Sequence, residues 1–124
     1  MTIARKRIAV LFHERETQDS LRAYVITHVA EHWREDGHEV VHLFGTSKFV
    51  PADVVLVHVN LSVVPDAYLE FARQYPIALN GQVRDIRKSA VSQNLLRPDD
   101  TYTGRVIVKS DLNYAGEPER RFAG

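Results

Sequence analysis

Apolar residues in this chain fall into short unbroken blocks separated by longer stretches with a helical period. Ile8-Ala9-Val10-Leu11-Phe12 is one such block, the pattern of a strand covered on both faces. From about Thr17 to Asp36 the period becomes helical, with Leu21, Tyr24, Val25, His28, Val29, His32 and Trp33 on one side and Arg22, Glu31, Arg34 and Glu35 opposite. Thr17 or Asp19 caps the start of this helix, and Gly37 suits a left-handed stop. Residues 40–44 and 53–59 read as a second and third strand. Pro65 sits in the first turn of another helix, whose inner face carries Tyr68, Leu69, Phe71, Ala72 and Tyr75, and Pro76 ends it. Ile77-Ala78-Leu79 is a short fourth strand. Asp85 caps a third helix running to about Leu96, with Ile86, Ala90, Val91 and Leu95 inward. Arg97-Pro98-Asp99-Asp100 is a turn, and Val106-Ile107-Val108 reads as a last strand.

This rhythm predicts an α/β fold: an open, mostly parallel, Rossmann-like sheet of four strands with about three helices, followed by one further strand. The turn at 97–104 is the one plausible boundary, dividing residues 1–97 from 98–124. In such sheets ligands meet the carboxyl ends of the strands. Those ends are Phe12-His13-Glu14-Arg15, His58-Val59-Asn60 and Leu79-Asn80-Gly81, so His13, Arg15, His58 and Asn60 form a candidate substrate cleft.

Composition narrows the function classes. The 124 residues carry 16 Lys plus Arg and 16 Asp plus Glu, a net charge of zero. That lacks the broad positive footprint of a nonspecific nucleic-acid binder, so no nucleic-acid partner is expected. The short basic clusters Arg5-Lys6-Arg7 and Arg120-Arg121 read as solvated tails. Cysteine is absent, which excludes disulfides, a thiol nucleophile and thiolate metal sites. No apolar run reaches the roughly 18–20 residues of a membrane span, and Ile8–Phe12 is too short for a signal-peptide core. The chain reads as cytoplasmic, with no membrane partner.

Several chemistries find no support in the residues. A dinucleotide fold needs glycines directly after its first strand, where this chain has His13-Glu14-Arg15-Glu16. There is no phosphate-cradling Walker sequence. His28 and His32 stand four apart but share a stripe with Leu21, Val25, Val29 and Trp33, so packing or boundary roles outweigh a metal site. His38 and His42 alternate on a strand, where the same reading holds. Ser62, Ser89, Ser92 and Ser110 lack the context of an activated nucleophile. No catalytic or metal-binding residue is assigned.

Two lysines stand apart. Lys88 lies three residues after Asp85 in the third predicted helix. Lys109 ends the strongly apolar strand inside Gly104-Arg105-Val106-Ile107-Val108-Lys109-Ser110-Asp111. A cation held at the end of a buried strand suits phosphate oxygens.

The helix opening Asp85-Ile86-Arg87-Lys88, the strand Gly104 to Lys109 and the following Asn113-Tyr114-Ala115-Gly116 together resemble the N-terminal portion of a bacterial ATP-grasp-like protein. The ATP-grasp superfamily comprises ligases that join a carboxylate to an amine through an acyl-phosphate. The resemblance extends to Val59-Asn60-Leu61-Ser62-Val63-Val64-Pro65-Asp66 and spans nearly the whole chain. It implies an N-terminal domain over 1–97 and the start of the nucleotide-binding module over 98–124. It also implies ATP with magnesium as cofactors of the full-length family, with Lys88, Lys109, Asn113 and Gly116 at the nucleotide phosphates. The chain departs from the family pattern in having Ser110 after the strand lysine, where proline is common, and in offering only Gly116 in its loop. The family's substrate cradle and magnesium ligands come later in the chain than these residues.

Magnitudes decide what two cations achieve. Each lysine–phosphate contact contributes roughly 1.5–3 kcal/mol, against an association cost of about 4–15 kcal/mol. Weak nucleotide binding is therefore expected, with no cofactor held tightly by this chain alone and no ligase activity from it. Its expected partners are the remainder of an ATP-grasp module or another copy of the chain. The alternative is a self-sufficient, non-catalytic α/β module for ligand binding or protein interaction. The last strand separates the two readings: a self-sufficient module adds residues 106–108 to its own sheet, whereas an unfinished one leaves them as an open apolar edge.

Overall fold

The computed structural model describes residues 3–124. Four strands form one all-parallel sheet in the order β2-β1-β3-β4, with β1 at Arg7–Phe12, β2 at Glu39–Phe44, β3 at Val54–Val57 and β4 at Ala78–Leu79. Strand β1 is central. Leu11 pairs in register with Leu43 on one side and Val57 on the other. Both of its faces are covered, which is why it reads as an unbroken apolar run. Each side chain from Val10 to Phe12 is essentially buried, worth about 1.5–3 kcal/mol apiece. The fold is an open, Rossmann-like α/β sheet, as the strand–helix rhythm predicts.

The two main helices lie on opposite faces of the sheet, as right-handed crossovers running in opposite directions from β1 and β3 require. Helix α1, Val25–Glu35, connects β1 to β2 and covers Val10, Phe12, Val40 and Phe44 through Ile26 and Trp33. Helix α2, Asp66–Ala72, connects β3 to β4 and covers Ala9, Leu11, Val55 and Val57 through Tyr68, Leu69, Phe71 and Ala72. The chain thus winds outward in both directions from the β1/β3 pair. In sheets of this topology the crevice for ligands lies at the carboxyl ends of that pair.

Three expectations fail locally. The helix expected over 17–36 is interrupted: Ser20–Ala23 is a 3-10 turn, Tyr24 is extended (φ −97°, ψ 138°), and α1 starts afresh at Val25. The restart shifts the phase of the buried face to Ile26, Ala30 and Trp33. Val25 is left 77% exposed, and His28 and His32 lie in solvent, facing Glu31 and Glu35 on their own helix. They are therefore not packing residues. Gly37, at φ +94°, does supply the left-handed stop after α1.

The helix expected from Asp85 to Leu96 shrinks to α3, Lys88–Val91, and its intended inner residues Ile86, Val91 and Leu95 are exposed. No sheet face stands behind them, and a helix this short is not stable on propensity alone. The strand expected over 106–108 does not form either. Val106, Ile107 and Val108 are 57%, 81% and 92% exposed and pair with nothing among the described residues. A strand needs ladder partners as well as β-prone side chains, and no strand of this sheet meets the segment.

The chain closes with α4, Glu117–Ala123, entered through three consecutive left-handed residues, Tyr114, Ala115 and Gly116. No helix among the described residues is long and apolar enough to cross a membrane.

Candidate functional site

The chain leaving β1 turns sharply. The Glu16 amide donates to the His13 carbonyl at 2.9 Å, and the Arg15 amide to His13 Nδ1 at 3.1 Å. The turn sends Arg15 outward into solvent and folds Glu16 back under the sheet edge, where its side chain is 1% exposed. A carboxylate buried that deeply is costly unless its oxygens are occupied. Glu16 Oε1 accepts from the Tyr24 hydroxyl at 3.1 Å and the Arg121 guanidinium at 2.9 Å, while Oε2 accepts from the Ser20 hydroxyl at 3.1 Å. The Tyr24 hydroxyl in turn accepts from Asn60 Nδ2 at 3.0 Å and from Arg121 at 3.2 Å. The extended backbone at Tyr24 is what carries this ring off the α1 axis and into the crevice.

His13 and His58 end neighbouring strands, yet their rings lie on opposite faces. His13 is sandwiched between Tyr68 of α2, centroids 5.8 Å apart, and Phe122 of α4, 4.2 Å away and nearly parallel. Accepting at Nδ1, it acts as a neutral stacking and turn-forming ring. His58 packs on Phe12 and Tyr24 at 5.3 and 4.9 Å, and its buried Nδ1 has no hydrogen-bond partner. Burial lowers the pKa of both imidazoles, so both favour the neutral form.

Ser62, also 1% exposed, organises the loop after β3. Its amide donates to Glu119 Oε1 at 2.8 Å, its hydroxyl accepts from the Asn113 amide at 2.9 Å, and its carbonyl accepts from the Ile86 amide at 2.8 Å. One residue thereby ties α4, the loop before it and the segment before α3 to the carboxyl end of β3. Burial raises the Glu119 pKa, but hydrogen bonds from Ser62 and from its own backbone, together with the Arg120 charge, outweigh this and hold the carboxyl below its usual range. Its second oxygen, Oε2, is buried without a partner.

Of the expected nucleotide site, Lys88 and Asn113 are already hydrogen-bonded within the chain, whereas Lys109 is not among the described residues. Lys88 Nζ donates to the Leu112 carbonyl at 3.2 Å, and its amide to the Asp111 carbonyl at 3.1 Å. The Asn113 amide points at Ser62, Gly116 is buried at φ +77°, and Lys109 lies on the exposed 105–109 segment. A phosphate cradle needs free N–H groups converging on one point. These residues alone do not complete such a cradle, and no phosphoryl-transfer step follows from them. Among the described residues no group of three or more His, Asp or Glu is placed to hold a metal ion.

Beside the crevice, a cleft of about 260 Å³ runs from His58 and Asn60 to Asn80, walled by Val64, Val83 and Ile86. The structure thus gathers His58 and Asn60 with Glu16, Tyr24 and Arg121. His13 lies one strand over in the Phe122 stack, and Arg15 stands outside. Glu16 lies within eight consecutive polar residues, His13 to Ser20. Arg121, expected as a solvated tail, instead reaches back across 105 positions to meet it. Glu16 stands four positions past the apolar strand, after the equally charged but exposed Glu14 and Arg15, so no spacing singles it out, and none signals Arg121. No family model, curated protein or solved structure matches the chain.

Proposed function

We propose that this chain is the leading part of an ATP-grasp-like, ATP-dependent carboxylate–amine ligase, contributing part of a nucleotide site that other chain completes. The observation that carries this reading is the state of Val106-Ile107-Val108, which ends at Lys109 and stands exposed outside the sheet. A run of three β-branched residues gains stability only by pairing and burial. The remainder of such a module, or a second copy of the chain, supplies the missing ladder. Lys88 already bonds the Asp111–Leu112 stretch just beyond Lys109, which keeps the two lysines in one region. ATP with magnesium is the cofactor pair of this reading, and the chain alone holds neither tightly.

The experiment is a titration with Mg-ATP at millimolar concentration, followed by amide chemical shifts. The ligase reading expects weak, saturable shifts confined to residues near Lys88 and Lys109, lost in the Lys88→Ala, Lys109→Ala double variant. An unresponsive wild-type chain removes the reading, and tight binding removes its claim that the site is incomplete.

A second reading, a self-sufficient and non-catalytic ligand-binding module, is favoured by the crevice at the β1/β3 ends. Its polar residues converge without any contribution from 98–111. Under this reading the cleft takes a ligand and ATP does not bind.

A further inference from the structure

The crevice above β1 and β3 has an unusual occupant, a side chain of the chain's own last helix. Arg121 enters from α4 and places its guanidinium 2.9 Å from Glu16 Oε1 and 3.2 Å from the Tyr24 hydroxyl. The same guanidinium carbon lies 4.5 Å from the centroid of the Phe122 ring, which stacks on His13. The receiving side is built before Arg121 arrives. Glu16 is fixed by Ser20 and Tyr24, and Tyr24 by Asn60. The occupant is the looser partner, with the Arg121 side chain 42% exposed against 1% for Glu16.

Acceptor capacity is also left over around this crevice. His58 Nδ1, beside the Tyr24 ring, is buried without a partner. The buried Glu16 carboxylate can only accept, and a neutral imidazole keeps one accepting nitrogen. The site therefore takes hydrogen-bond donors and positive charge, which Arg121 now supplies to Glu16. A guanidinium offers five donors in a planar fork, and its flat faces stack on aromatic rings.

We propose that this crevice is a binding site for a guanidinium group, on a small molecule or on an arginyl side chain, and that Arg121 is its resident occupant. Incoming ligand displaces Arg121 and releases α4 from the carboxyl edge of the sheet. The site does not involve Lys88 or Lys109 and stands apart from the nucleotide reading, so either proposal can fail alone.

Calorimetric titration with agmatine, and in parallel with N-acetyl-arginyl-phenylalanine amide, tests this on the full chain. A tethered side chain competes at an effective concentration of millimolar order, so removing it tightens agmatine binding by about tenfold or more. Arg121→Met keeps the aliphatic stem on Phe122, and Arg121→Ala opens the site fully. Both variants are expected to bind agmatine more tightly than the wild type, and Glu16→Gln in either background abolishes the gain. Butylamine, with a single ammonium, binds more weakly. Tighter binding of the dipeptide amide than of agmatine identifies an arginyl peptide as the ligand; the reverse identifies a small guanidine. The wild type supplies a readout free of any folding defect: saturating agmatine accelerates amide exchange over residues 117–123. Equal affinity in wild type and Arg121 variants, gain that survives Glu16→Gln, or unchanged exchange over 117–123 overturns the proposal.

Discussion

Arg121 and Glu16 stand 105 residues apart in sequence and 2.9 Å apart in space, joining the last helix to the turn after the first strand. Because Glu16 is buried, losing Arg121 strips a charged donor from a carboxylate that cannot turn to water. Ser20 and Tyr24 still bond Glu16, which limits the damage. Arg121→Ala is expected to lower stability by about 1.5–3 kcal/mol, the range for a hydrogen bond to a charged group. Urea denaturation measures this. A loss below about 0.5 kcal/mol, the size of an ordinary surface substitution, places the pair among contacts of no consequence.

The turn into α4 makes a prediction of opposite signs at neighbouring positions. Tyr114, Ala115 and Gly116 have φ of +50°, +54° and +77°. For a residue with a Cβ the left-handed region costs roughly 1–2 kcal/mol. Ala115→Gly relieves that cost and is expected to stabilise by about 0.5–1 kcal/mol, after the greater freedom of glycine in the unfolded chain is set against it. Gly116→Ala introduces the cost and brings a Cβ to 3.0 Å from Leu112 Cδ1, so it destabilises by about 1–2 kcal/mol. Thermal melts of the two variants moving in the same direction contradict this account of the turn.

How far the sequence is legible follows from where each force acts. Strands β1 to β3 are readable because burial on both faces writes itself as unbroken apolar runs, and α2 because Pro65 and Pro76 bracket it. The break at Tyr24 is not readable, since the helical period runs straight through it. What sets Tyr24 apart is its hydroxyl, shared by Glu16, Asn60 and Arg121, three residues scattered along the chain. Residues 106–108 mislead for a related reason: β-prone side chains record a local preference, and a ladder partner is not local. Of the crevice, His58 and Asn60 are legible as strand-end residues. Glu16 and Arg121 are not, because a pair made across the whole chain leaves no period behind.

Acid sensitivity follows from the buried imidazoles. Burial lowers the pKa of His13, His42 and His58 in the folded chain. The unfolded chain then binds more protons through this range, so stability rises with pH. The contribution is fully present above the ordinary imidazole value of about 6.5 and is lost as pH falls below it. Glu119, held below the usual carboxylate range, adds a second loss at lower pH, beginning near about 4.3. His13→Phe keeps a flat ring between Tyr68 and Phe122 and removes one titrating group. The urea midpoint of this variant is expected to fall less than that of the wild type between about pH 7.5 and 5.5. Parallel pH profiles for the two proteins mean that His13 does not contribute to the acid loss.

The exposed Val106-Ile107-Val108 segment makes the last prediction. With Ile107 81% and Val108 92% exposed, neither residue supports the fold, so Ile107→Lys is expected to change stability by less than about 0.5 kcal/mol. Its effect falls on association instead. An unpaired run of β-branched residues invites pairing with another chain, and a lysine in its centre blocks that pairing. Sedimentation velocity over a range of concentrations is expected to show self-association of the wild type and less of it for Ile107→Lys. A wild type that stays monomeric throughout removes the second copy as the partner of this segment. A marked loss of stability in Ile107→Lys means that the segment packs against the domain, which contradicts the proposal that its sheet lies elsewhere.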